Sequence, residues 1–159
     1  MSYTRAPILV GVDDTEAGRA ALSFAMSEAT RRGSALDVVT AWTSHSAREV
    51  PGAGDPRESG RARAQEVQDV AVAAVLRGFD GSPVISRQVV EGEAARVLVT
   101  MARTADYLVV GAGQGGSRDG TLLGSVSEQC VRHAGCPVVV VPRPVHGIDY
   151  HDLLVAAEA

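Results

Sequence analysis

Three features of this sequence have residue types and spacings that could do chemistry, and they lie far apart along the chain. The first is the adjacent pair Asp13-Asp14, which follows the apolar run PILVGV. Such a pair can gather around magnesium, and Asp13 can equally cap the helix that comes next. The second is GAGQGGSRDG, beginning at Gly111 and followed by Gly124-Ser125-Val126-Ser127-Glu128. A loop so poor in side chains lets a ligand approach the main chain closely. In the segment after it, Ser125 is placed to cap an N3 amide, with Glu128 as its reciprocal partner. The start of that helix, with its free N–H groups and positive dipole end, suits a phosphate. The third feature is the basic set: all 15 basic residues are arginine. Without lysine there is no Walker A loop and no Schiff-base catalysis; Arg118, inside the glycine loop, is a candidate positive charge for the phosphate.

Other chemistries do not fit. Gly111, Gly113 and Gly116 match a dinucleotide fingerprint, but the expected helix begins near Ser125 and no acidic residue for a ribose follows Val141-Pro142. The acidic pair lacks the last-strand lysine of phosphoacceptor domains, and nothing marks a flavin pocket. His45, His133, His146 and His151 have no metal-site spacing, and His133 is accounted for by a helix C-terminus. Cys130 and Cys136 match no zinc or redox pattern and read as buried, reduced thiols. No Ser-His-Asp set is present, and no base or positioned water for a hydrolysis can be named. A binding module, not an enzyme, is the expectation.

The elements that must position these residues follow from apolar periodicity. Residues 7–12 predict a first strand, 16–32 a helix buried through Ala21, Leu22, Ala25, Met26 and Ala29, and 36–42 a second strand. A polar loop over 43–56 reads as either a lid or a passive connection. A helix over 57–77 should turn Ala64, Val67, Ala71, Ala74 and Val75 inward. Then come a strand over 84–90, a helix from Glu91 to Arg103 burying Ala94, Val97, Leu98 and Met101, and a strand over 107–110. The last helix should bury Val126, Cys130, Val131 and Ala134 and stop at Gly135, before a strand over 138–141. This alternation predicts an α/β fold, a parallel sheet with helices on both faces. One domain over residues 1–142 carries an extension, 143–159, that is either a short packed helix or disordered.

Composition sets outer limits. A chain of 159 residues with 45% hydrophobic content suffices for one core. A net charge of −4 argues against a general nucleic-acid partner. No apolar stretch approaches the roughly 20 residues of a membrane span, and the N-terminus lacks a signal-peptide pattern. The expectation is a cytoplasmic protein with neither nucleic-acid nor membrane partner.

Gly111, the glycine-rich gap, Gly124-Ser125 and the strand CPVVVV together resemble the C-terminal signature of the universal stress protein family. In its nucleotide-binding branch the pattern is Gly, two residues, Gly, nine residues, Gly, then Ser or Thr. Gly111 and Gly124-Ser125 fall on it; Gln114 stands where the middle glycine belongs. The resemblance implies an open five-stranded sheet in the order 3-2-1-4-5, the adenine nucleotide alpha hydrolase-like fold. Strands 1 and 4 then meet where the winding reverses, and ligands bind at such points. It implies a stress-response regulatory module that binds ATP, ADP or AMP, with or without Mg2+. Gly11, Val12 and Asp13 would border the nucleotide, Asp13 near the ribose or a bridging metal. Ala41 would line the adenine pocket. Val110, Gly111, Gly113 and Gln114 would approach the ribose and α-phosphate, while Gly124, Ser125, Val126 and Ser127 offer main-chain and hydroxyl donors. If position 114 needs positive φ, glutamine there costs about 1 kcal/mol or more in strain. The alternative implied by that departure is a branch that binds no nucleotide and works as a protein-interaction module. Either form would be a homodimer through the last, edge strand, with an unidentified regulatory protein as a further partner.

Overall fold

The apolar runs pair side by side in parallel. In the computed structural model, which describes residues 5–44, 54–113 and 123–143, five strands form one sheet: β1 (Ile8–Gly11), β2 (Leu36–Trp42), β3 (Ile85–Glu91), β4 (Tyr107–Gly111) and β5 (Val138–Val141). Their order is β3-β2-β1-β4-β5, as the family resemblance implies. Val10 of β1 lies opposite Val38 of β2 on one side and Val109 of β4 on the other. The chain fills the rest with α1 (Glu16–Arg32), α2 (Pro56–Leu76), α3 (Ala94–Met101) with a short 3-10 turn after it, and α4 (Ser125–His133).

Because successive strand side chains point to opposite faces, the sheet has two cores. Ile8, Val10, Leu36, Val38 and Val109 pack against α1 and α2 through Leu22, Met26 and Val72. Leu9, Val39, Leu108 and Val110 pack against α3 and α4 through Val97, Leu98 and Cys130. Runs such as YLVV carry no polar alternation because both faces are covered.

Helix α1 follows its expected bounds and buried stripe. It stops at Gly33, which takes φ 63°, a left-handed cap available to glycine at low cost. In α2 the inward face differs from the expected one: Ala64 and Ala71 are buried, but Gln68 and Val72 are buried with them, and Val67, Ala74 and Val75 are half-buried. Gln68 is interior because its Nε2 donates to Val38 O at 3.2 Å, Thr40 Oγ1 at 3.2 Å and Gln88 O at 3.0 Å. A buried amide group is tolerated where it is hydrogen-bonded; here the NH2 group ties α2 to β2 and β3, while Oε1 has no partner among the described residues. In α4, Val131 is exposed, not buried, since the stripe through Ser127 and Cys130 leaves it on the outer side. Among the described residues, no helix is long and apolar enough to cross a membrane. The tail from 144 onward, most of the loop after β2, Gln114 and Arg118 lie outside the described residues.

Candidate functional site

The tips of β1 and β4 are neighbours, although the strands are separated by most of the chain. Two glycines allow what sits above them. A Cβ on Gly111 would stand 2.6 Å from the Ala17 carbonyl carbon and oxygen. The first turn of α1 therefore lies directly on the end of β4, an approach open to glycine alone. Next, Ala112 N donates to Val141 O at 2.8 Å, and Gly124 N donates to Ala112 O at 2.6 Å. The second bond hooks the start of α4 onto the end of β4. Between them Gly113 takes φ 79°, a conformation that disfavours any residue with a Cβ.

These contacts leave a crevice of about 440 Å³. Gly11, Val12 and Asp13 border it from β1; Val110, Gly111 and Gly113 from β4; Gly124, Ser125, Val126 and Ser127 from α4; and Ala41 from β2. Eleven of the twelve site residues read from the sequence therefore line one cavity, and the twelfth, Gln114, lies outside the described residues. The volume is in the range of small-molecule sites.

The local chemistry departs from the expectation at three points. Helix α4 is capped by Gly124, not Ser125, and this cap makes no side-chain hydrogen bond. The helix begins one residue earlier than the capping-box reading requires, so the cap position falls on a residue without a side chain. Glu128 consequently sits beyond the first three amides. Its own N–H bonds Gly124 O at 2.9 Å, and its Oε1 pairs with Arg132 at 2.8 Å. The first-turn amides are thus left without the side-chain partner that the capping box would have supplied.

The second departure is Ser127. Its hydroxyl is buried and donates to Gly124 O at 2.9 Å and Ala112 O at 3.4 Å, so its proton is turned toward the main chain, while the exposed Ser125 hydroxyl has no capping duty.

The third is Asp13, for which capping and ligand contact were both open. The N-cap of α1 is Thr15, whose Oγ1 accepts from Gly18 N at 3.0 Å. Asp13 Oδ1 in turn accepts from Thr15 N at 3.0 Å and from the Thr15 hydroxyl. Asp13 therefore steadies the cap without being it, while still bordering the crevice. As to its expected link to a metal, no group of three or more candidate ligand side chains occurs among the described residues.

Sequence reading missed Thr15, Gly18, Val39, Ala94 and Leu98, all of which line the cavity. Val39 was accessible, being two residues before Ala41 on the same strand face. Ala94 and Leu98 belong to the inward stripe of α3, but nothing in the sequence says that α3 borders this crevice. With Val126 they make part of its lining apolar.

Both cysteines are free, Cys130 buried and Cys136 half-buried. Burial pushes the Cys130 thiol up to about 11, and Glu93 adds to the effect. Burial also raises Cys136. Neither is poised as a nucleophile, since the reactive form is the thiolate. His133 is exposed in the last turn of α4, where a cation meets the helix dipole favourably.

The profile of the Universal stress protein family matches residues 4–142. A universal stress protein of Mycobacterium tuberculosis is 34% identical over 139 residues, which is 86% of this chain and 45% of that protein. The chain thus spans about half the length of such relatives. The universal stress protein UspA from Lactobacillus plantarum has the same fold, with a TM-score of 0.67 at 23% identity, over 86% of this chain and 98% of that one. A universal stress protein solved in complex with cAMP superposes with a TM-score of 0.59 at 25% identity, over 89% of this chain and 99% of that one.

Proposed function

This chain belongs to the universal stress protein family, and from that premise we propose that its crevice binds an adenine nucleotide and that the protein is a regulatory binding module. The observation that carries the reading is the convergence of the β1 tip, the β4 tip and the α4 N-terminus on one cavity. Its apolar lining, Ala41, Val39 and Leu98 among it, suits a purine. The start of α4 offers amides aligned with the helix dipole, which suit a phosphate. The relative solved with cAMP supports the class of ligand. ATP, ADP and AMP are all candidates, with Mg2+ as an accompanying ion.

Protein purified from cells and then denatured should release AMP, ADP or ATP, detectable by chromatography of the supernatant. Calorimetry with millimolar nucleotide should show saturable heat. Absence of both signals would leave the second reading, an interaction module that binds no nucleotide. The feature favouring that reading is Gln114 in place of the motif glycine.

On either reading the protein is proposed to form a cytoplasmic homodimer through β5 and to act on a regulatory protein. Strand β5 is at the sheet edge, and its four valines are each half-buried, a surface that further pairing would cover. Light scattering on a size-exclusion column should give twice the chain mass at micromolar protein; a monomer there defeats the dimer.

A further inference from the structure

We propose that Asp13 makes the crevice a charge filter, so that without a divalent cation it takes a nucleoside monophosphate in preference to the triphosphate. This rests on the nucleotide reading above and adds the charge state of the ligand.

The carboxylate is fixed in place. Its Oδ1 is held by Thr15 N at 3.0 Å and by the Thr15 hydroxyl. A Cβ on Gly18 would stand only 2.2 Å from that oxygen, so the side chain can lie over the first turn of α1 because residue 18 is glycine. Among the described residues its charge is also unbalanced. The adjacent Asp14 has Arg63 at 3.7 Å, whereas among the described residues no cation pairs with Asp13. Nor does any arginine or histidine occur in the described lining of the crevice.

Among the described residues, the donors available to a phosphate are neutral amides at the start of α4; Arg118, the candidate charge in the glycine loop, lies outside them. A helix N-terminus carries about half a positive charge, enough to favour one phosphate group. The two additional phosphates of ATP bring about two more negative charges at neutral pH. They enter a space where the fixed charge in the described lining is a carboxylate. Coulomb repulsion at intermediate dielectric then separates the two ligands by about tenfold in affinity.

The test is calorimetry in EDTA with AMP and with ATP, on the full chain and on Asp13→Asn. Asparagine keeps an Oδ1 for both Thr15 donors, so the loop is retained while the charge is removed. The native protein should bind AMP about tenfold more tightly than ATP. The ratio should fall most of the way to unity in Asp13→Asn, and also in the native protein as salt rises from about 0.05 M to about 0.5 M. A ratio unchanged by the substitution or by salt, or ATP as tight as AMP in EDTA, overturns the filter and leaves the nucleotide site standing. Binding of neither ligand to either protein overturns both.

Discussion

Alanine at Gly111 should lower the unfolding free energy by about 2–3 kcal/mol and weaken nucleotide binding, whereas alanine at Gly11 should cost less than about 1 kcal/mol. The two glycines lie at the tips of neighbouring strands, and the difference comes from what a new methyl would meet. At Gly111 it meets main chain, Ala17 C and O at 2.6 Å, and neither α1 nor β4 can yield without opening the core beneath them. At Gly11 the nearest atom is Leu98 Cδ1 at 2.7 Å, the far end of a side chain that can rotate into the adjoining crevice. Gly124 is intermediate, with Ala112 O and the Gly113 Cα both at 3.2 Å. Chemical denaturation of the three variants should rank Gly111→Ala well below the others. If Gly111→Ala unfolds at the native midpoint, the close approach of α1 to β4 is not what builds the crevice.

Leucine at Ala41 should reduce nucleotide affinity by about ten- to a hundredfold and leave the melting temperature within a few degrees of native. Ala41 sits on β2 in the apolar part of the cavity lining and is half-buried. Three extra carbons there enter space that the adenine ring is proposed to fill. Ala41 lines the cavity at the margin of the core on that face, so an added side chain that enters the cavity should turn most of the 1–3 kcal/mol that overpacking usually takes from stability into lost binding. Competition with a fluorescent adenine nucleotide measures the first effect and a thermal melt the second. Native affinity in Ala41→Leu would place the base elsewhere, and a collapse in melting temperature would mean that this position belongs to the core.

Both outcomes turn on features that differ in how openly the sequence displays them. Apolar runs such as PILVGV, LDVVTAW and YLVV, and the α1 stripe through Ala21 and Met26, announce themselves by local periodicity. Their element boundaries consequently lie within a residue or two of the expected ones. The site was legible for a different reason: main-chain binding needs glycines, and Gly111, Gly113 and Gly124 stand out in any reading. Gln68 was missed because an amide in a helix looks like a surface residue until its three acceptors on β2 and β3 are in place. The Ser125–Glu128 capping box satisfied a valid local rule and still failed, because Gly124 N is bound to Ala112 O and that tertiary hook starts the helix one residue sooner.

Residue identity and short-range order suffice for the alternation of strands and helices, the absence of lysine chemistry and the family. The tertiary structure alone decided that α3 closes the crevice beside Ala41, that Thr15 caps α1 with Asp13 behind it, and that the start of α4 is left without a side-chain cap. Those outcomes depend on which distant segments touch. Contact across the sheet is set by the combined burial of two cores, and no local pattern encodes it.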